Sequence, residues 1–361
     1  MARGRGLNRK LVVTWHINSR QHLFYPSKIL DGLSALRSKG ELSLRFTPDA
    51  NCPEIPSSLV VLTMHRGDKG SERKVIVDLS DTSEFYSLVA LDYADIYFKC
   101  NLMPGPLELL PSYLRKRVRP FGLNFACVDA ESWTDWLAAS VVRARSAARS
   151  DFRAAIGGFI NDLHMFVSIP SHRVFIANPK EHKRPIALFQ TRVWPPEKSS
   201  DDLEQLNDER IELVTALRGA LREWFVGGIV DSEFARVRCS NAVVTESVHR
   251  RAYSALTRSA LVGVYSRGIH GSLAFKFSEY LAAGCCMVVE PFEHILDIPL
   301  QSGIHYLPYY STDSCVTACK TLLGDKPLAA EMSRRNADYF LRYLLPERHI
   351  GRILVTATSE S

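Results

Sequence analysis

Between residues 264 and 291 the chain reads VYSRGIHGSLAFKFSEYLAAGCCMVVEP. Arg267, Lys276 and Glu279 are the side chains here that could hold a charged, hydroxyl-bearing ligand. Lys276 and Glu279 are three apart and share one face of a helix. Leu273, Phe277, Tyr280 and Leu281 form the opposite, apolar stripe. Residues 261–265 read as a short strand and 266–271 as a loop broken by Gly268 and Gly271. The helix is expected to begin at Ser272, whose hydroxyl can cap it, and to stop near Ala283 before Gly284. A helix N-terminus offers unpaired N–H groups and partial positive charge to an anion, and Arg267 adds a full charge beside it. Gly268 and Gly271 either let backbone N–H groups approach a phosphate or simply turn the loop. His270 is a further donor-site candidate in that loop. A phosphate binder and a hydroxyl-binding carboxylate on one edge suit a sugar nucleotide.

A second candidate lies near the start, in TWHINSRQH (14–22). His16 is expected just after the first strand, where a histidine could take a proton from an acceptor at neutral pH. His22 is nearby in sequence, and Asp78 or Asp81 would emerge from a later strand.

These residues must be positioned by alternating strands and helices. Apolar runs at 11–15, 42–46, 59–63, 74–78 and 95–98, with helical patterns at 27–39 and 83–91, predict a parallel, doubly wound sheet. Residues 121–127 are a further apolar run, and 131–160 reads as mostly helical. A second series follows: strands at 185–189, 225–229, 241–245, 261–265, 286–290 and 304–308, and helices at 201–224, 312–323 and 328–345. The expected division is a first domain over 1–180, a second over 181–345 and a tail over 346–361, hinged around 172–184. Two such domains form a cleft, with ligands beyond the carboxyl ends of the strands.

Composition narrows the setting. The chain has 361 residues, enough for two domains with their own cores. Net charge is +6, concentrated at Arg3, Arg5, Arg9 and Lys10 and at Arg115, Lys116, Arg117 and Arg119. Either cluster suits anionic lipid or nucleic acid, or is solvated surface. The eight cysteines lack C-x-x-C spacing and read as small core residues. No signal peptide and no membrane-spanning apolar run are visible, which implies a reducing, cytoplasmic setting.

KFSEYLAAGCCMVVEP (276–291) resembles the K-x-x-E-Y-L-A-A-G-x-x-V-V segment of GT-B glycosyltransferases of the group 1 type. IALFQTRVWPPEK (186–198) resembles that family's G-R-L and P-E-K stretch, and 302–340 its closing strand and helices. The resemblance implies a GT-B fold, α/β with two doubly wound Rossmann-like domains facing across a cleft. It implies sugar transfer from a nucleotide-sugar donor in the second domain to an acceptor in the first, without a metal or other cofactor. It gives Glu279 to the ribose hydroxyls and Arg192 and Lys198 to the diphosphate, although these two are one residue further apart than usual. The second glutamate that many relatives carry eight residues before the first is replaced here by Gly271, so the donor sugar and the stereochemistry stay open.

The expected function is therefore glycosyl transfer to a glycan, lipid-linked or small-molecule acceptor, as in polysaccharide biosynthesis, at the cytoplasmic face of a membrane or free in the cytoplasm. The alternatives are a degenerate transferase-like scaffold, a nucleotide-sugar epimerase, and a basic anionic-surface or nucleic-acid-binding protein. No nucleic-acid motif is present, so no specific nucleic acid is expected.

Overall fold

The computed structural model describes residues 10–48, 56–67, 71–178, 181–196, 202–244 and 249–359. The chain builds two sheets. The first contains β1 (Leu11–Ile17), β2 (Leu42–Pro48), β3 (Leu59–Arg66), β4 (Arg73–Asp78), β5 (Ile96–Lys99) and β6 (Val118–Pro120), in the order β2-β1-β3-β4-β5-β6. The second contains β7 (Arg184–Thr191), β8 (Phe225–Ile229), β9 (Ala260–Tyr265), β10 (Cys286–Val289) and β11 (Tyr306–Pro308), in the order β11-β10-β9-β7-β8.

The second sheet is parallel throughout, as expected. The first is not: β3 runs antiparallel to both β1 and β4. The cause is readable in the chain, because residues 67–72 are too few for a helical crossover of about a dozen residues.

Four further expectations change. Residues 241–245 contribute only a single bridge, Val243 to Ile229, among the described residues. The helix expected over 83–91 is confined to Leu88–Tyr93. The stretch 131–160 divides into helices Trp133–Ala148 and Phe152–Ser168, the second capped by the Asp151 carboxylate on Ala154 N–H. The expected tail is mostly the helix Pro346–Ser359.

That last helix returns to the first sheet. Ile350, Ile353, Leu354 and Ala357 are buried in the same core as Val13, Trp15, Leu30 and Leu33. Gly32 makes the approach possible. A Cβ there would lie 2.5 Å from Ile350 Cγ1 and 2.5 Å from the Pro346 carbonyl oxygen.

The apolar run 121–127 is not a strand; it is a buried connection between two cores. Leu123, Phe125 and Cys127 pack with the second sheet's core, whereas Phe121, Ala126 and Val128 pack with the first. Its backbone is satisfied by side chains instead of a ladder. Lys28 Nζ donates to the Leu123 carbonyl at 2.8 Å, and Ser278 Oγ to that of Asn124 at 3.3 Å. Cys127 N–H donates to Ser27 Oγ at 3.2 Å. Buried backbone groups need such partners, and here they explain a fully buried lysine.

In the second sheet, Leu213, Val214 and Leu217 of helix Leu203–Leu221 cover one face. Phe277, Tyr280 and Leu281 of helix Lys276–Ala282 cover the other. Gly263 lets the Tyr280 ring rest on β9, since a Cβ would lie 2.8 Å from ring carbons.

Candidate active site in the interdomain cleft

In the second sheet β7 pairs with β8 on one side and β9 on the other. The chain leaves β7 outward to β8 and then crosses back to β9, so the loops after β7 and β9 diverge. Such a switch point opens a crevice beyond the carboxyl ends of the strands. A cleft of about 630 Å³ lies there, within the usual range for small-molecule sites. Its walls include Arg192 and Trp194 after β7, Gly268 and Ser272 after β9, and Lys276 and Glu279. Arg250 and Tyr253 of helix Arg250–Ser259 complete that side. Phe24, Tyr25 and Asp81 face them from the first domain. The domains touch beside it: Phe24 and Tyr25 stack near Phe275, with ring centres 6.0 and 6.4 Å apart. Asn101 Oδ1 accepts from Leu273 N–H at 2.9 Å.

Lys276 and Glu279 form the centre of the charged wall. Lys276 Nζ donates to the Gln190 carbonyl at the end of β7 and lies 4.7 Å from the Tyr253 ring centre. Burial lowers its pKa to about 8, with Arg210 and Arg192 lowering it further and Glu279 opposing. Burial raises the Glu279 carboxyl above the usual carboxylate range, while Lys276, Arg250 and the Tyr253 hydroxyl pull it back. Four cationic groups, Arg192, Arg210, Arg250 and Lys276, thus line the cleft against two carboxylates, Glu279 and Asp81. The excess of positive charge suits a doubly or triply charged anion.

Arg210 and Arg250 are the cleft cations that the sequence reading missed, and Arg210 is the more deeply placed. It is buried at 6% exposure on helix Leu203–Leu221. Its Nη1 donates to the Arg192 carbonyl at 2.7 Å and its Nη2 to the Arg267 carbonyl at 2.6 Å. It thus ties together the two loops that diverge at the switch point. Its Nε is buried without a partner, and burial lowers its pKa to about 10. No local motif marks it, because an arginine amid Glu and Asp on a long helix looks solvated.

Arg267 is placed differently from the expectation. Its guanidinium turns away from the cleft, with Nη1 2.5 Å from Glu209 Oε2 and 2.6 Å from Glu290 Oε1. Its own N–H donates to Glu290 Oε2 at 2.8 Å. Two carboxylates already neutralise the charge that the sequence suggested for a phosphate.

The helix expected from Ser272 begins only at Lys276 and has no side-chain cap. Ser272 instead closes the preceding loop, its carbonyl accepting from Gly268 N–H at 2.8 Å. Gly268 suits this close approach: a Cβ would lie 2.9 Å from the Ser272 carbonyl oxygen and 2.3 Å from its Oγ. Leu273 and Ala274 N–H groups are taken by Asn101 and by the Tyr265 hydroxyl. The helix has only seven residues and these N–H groups before it are taken, so the side-chain cations carry the charge. Gly271 has φ +70° with open space around it, a turn requirement.

His270 is exposed and left-handed, at φ 57°. It stands close enough to Asp81 to lower that carboxyl's pKa, against a larger raising effect of burial. His16 is not in a cleft loop. β1 continues through it, and its ring nitrogens meet Thr63 Oγ1 at 3.0 Å and Thr47 Oγ1 at 3.1 Å. Lys198 lies outside the described residues. Asp78 is consumed by a buried pair with Lys99 Nζ at 2.9 Å and by the Tyr97 hydroxyl at 2.7 Å.

No family model matches the chain, and no curated protein matches it. Among solved structures, the C-terminal domain of a glycosyl transferase group 1 family protein (LpcC) from Francisella tularensis aligns at 8% identity and a TM-score of 0.34. It covers 47% of this chain and 95% of that one. TarM aligns at 11% identity and a TM-score of 0.37, over 83% of this chain and 64% of that one. The UDP-GlcNAc 2-epimerase from Neisseria meningitidis aligns at 10% identity and a TM-score of 0.34, over 76% and 63%. This chain thus spans slightly less than two thirds of the last two. Likenesses this remote carry no argument about activity. Strand order, the facing domains and the returning C-terminal helix give the architecture directly: two Rossmann-like α/β domains across a cleft, in the GT-B arrangement, with one antiparallel strand in the first sheet.

Proposed function

We propose that the protein transfers a sugar from a nucleotide-sugar donor to a glycan, lipid-linked or small-molecule acceptor. The observation that carries the reading is the convergence of Arg192, Arg210, Arg250, Lys276 and Glu279 at the switch point of a parallel sheet, opposite Asp81. In this reading Arg192 and Lys276 meet the donor diphosphate, and Arg210 positions their loops. Glu279 accepts from the ribose hydroxyls. Charge developing on the leaving diphosphate is met by preorganised cations, so no metal is needed at that step. Asp81, with His270 beside it, is the group on the acceptor side that can take a proton.

A lipid-linked acceptor is favoured by one surface. Phe152, Ile156, Ile160 and Val167 are exposed along helix Phe152–Ser168, Phe152 at 68% and Val167 at 84%. Arg145, Arg149 and Arg153 are exposed alongside. An apolar stripe flanked by arginines suits an anionic bilayer surface. Of the basic cluster at 115–119, Arg117 is instead spent on the carbonyls of Leu91, Asp92 and Ala94. No described helix is long and apolar enough to cross a membrane. The seven described cysteines are buried and free, which suits a cytoplasmic site of action.

The test is a thermal-shift screen against UDP, GDP, CMP, TDP and ADP, with and without added magnesium. A nucleotide that raises Tm equally in both conditions supports the reading and names the base. No shift with any of them contradicts it.

A further inference from the structure

A second cluster of chemically capable side chains lies away from the cleft. Asp31 comes from helix Ser27–Ser38, Cys127 and Asp129 from the buried connection, and His172 from the turn His172–Val174. All four are buried: 3% exposed for Asp31, 1% for Cys127, 7% for Asp129 and 6% for His172. One donor atom each from Asp31, Cys127 and His172 lie within 4.8 Å of one another.

His172 Nδ1 carries the argument. It is buried and makes no hydrogen bond. It points between two carboxylate oxygens, 3.6 Å from Asp31 Oδ2 and 3.6 Å from Asp129 Oδ1. That separation is long for a hydrogen bond. It matches the edge between two nitrogen or oxygen ligands of a tetrahedral zinc, about 3.3–3.6 Å for metal–ligand bonds of about 2.0–2.2 Å. The remaining lone pairs are already oriented. Asp31 Oδ1 accepts from Asp129 N–H at 2.8 Å and from Ser132 Oγ at 2.5 Å. Asp129 Oδ2 accepts from Arg173 Nε at 2.9 Å, and Ser171 Oγ donates to Asp129 Oδ1. The outer shell that fixes metal ligands is thus in place, and His172 Nδ1 is left unpaired between the two carboxylates.

Charge agrees. Asp31, Asp129 and a Cys127 thiolate would set three negative charges against Arg173 and the nearby Lys28. Without a cation, burial raises the Cys127 thiol well above its ordinary pKa, with Asp31 and Asp129 adding to this and Lys28 opposing it. A divalent ion reverses this by displacing the thiol proton to solvent and binding the thiolate.

We propose that Asp31, Cys127 and His172, with Asp129 at the fourth position, bind one structural zinc ion. The ion would clasp the first-domain helix Ser27–Ser38 to the two segments that lead toward the second domain. It is separate from the sugar-transfer reading and leaves the diphosphate chemistry free of metal.

The experiment uses the full chain, exposed to zinc or cobalt(II) and dialysed. The expected result is about one ion per chain and, with cobalt, a thiolate charge-transfer band in the near ultraviolet. The band should vanish in Cys127→Ala and persist in Cys319→Ala. X-ray absorption on the zinc-loaded wild type should show one sulfur and three nitrogen or oxygen neighbours, a readout that stands even if Cys127→Ala fails to fold. Retention below about a tenth of an ion per chain, a band that survives Cys127→Ala, or a shell without sulfur would each overturn the proposal.

Discussion

Arg210 donates from Nη2 to the Arg267 carbonyl at 2.6 Å, while the Arg267 guanidinium faces the other way onto Glu209 and Glu290. The arginine on the long helix thus holds the loop, and the arginine in the loop holds the helix's acid. Truncating Arg210 takes the donor from two part-buried carbonyls. Arg210→Ala should cost about 2–4 kcal/mol of stability and weaken nucleotide binding. Arg210→Lys keeps the charge but cannot span both carbonyls, so it should recover little of either. Denaturant unfolding and calorimetry read both. Wild-type stability in Arg210→Ala would refute the staple.

Lys276 predicts opposite pH trends for binding and stability. Its folded pKa of about 8 lies below the ordinary lysine value of 10.5. Between these values the unfolded state holds the proton more often, so this group adds stability as pH rises through the window. Binding of a diphosphate needs the ammonium, so affinity should fall by up to about tenfold per pH unit well above 8. Lys28, also lowered to about 8 by burial, adds a similar stability trend. The comparison is therefore wild type against Lys276→Met. Their difference in stability should change between pH 7.5 and 9.5, and the affinity slope should flatten in the variant. Parallel curves would exclude a titrating Lys276.

Gly32 fixes the seat of the C-terminal helix. A methyl group there meets Ile350 and the Pro346 carbonyl at 2.5 Å, and the backbone cannot yield cheaply. Gly32→Ala should destabilise by about 1–3 kcal/mol, despite the better helix propensity of alanine. Increased hydrogen exchange over 346–359 would accompany it. A stabilised variant would mean the helix seats elsewhere.

The exposed stripe predicts lipid binding. The full chain should float with vesicles containing anionic lipid and not with neutral ones. Replacing Phe152, Ile156 and Ile160 by serine should abolish flotation with Tm little changed, because these side chains are exposed. Equal flotation of the variant would move membrane contact to another surface.

The second domain was legible because its strands are short apolar runs and the first three links between them carry helices, which favours a parallel sheet. Glu279 and Lys276 were legible for the same reason, since three-residue spacing on a short amphipathic helix fixes their face. The first sheet's antiparallel β3 was signalled by the short link 67–72 but was read as part of a uniform series. His16 was misread by the length of β1: two more strand residues carry it from loop to sheet. Arg267 faces away from the cleft, and Arg210, of which nothing was expected, lines it, because arginine direction depends on distant carboxylates and carbonyls. The Asp31, Cys127 and His172 cluster was invisible because its members are drawn from three separate segments with no spacing signature.

The central claim is that this cleft turns over a nucleotide sugar. The most direct measurement is release of nucleoside diphosphate from a panel of nucleotide sugars, with and without added magnesium or manganese, by wild type and Lys276→Met. The account predicts release by wild type with at least one donor, independent of those ions, and a loss of about a hundredfold or more in the variant. Equal release by both proteins, or no release and no binding with any donor, would contradict it.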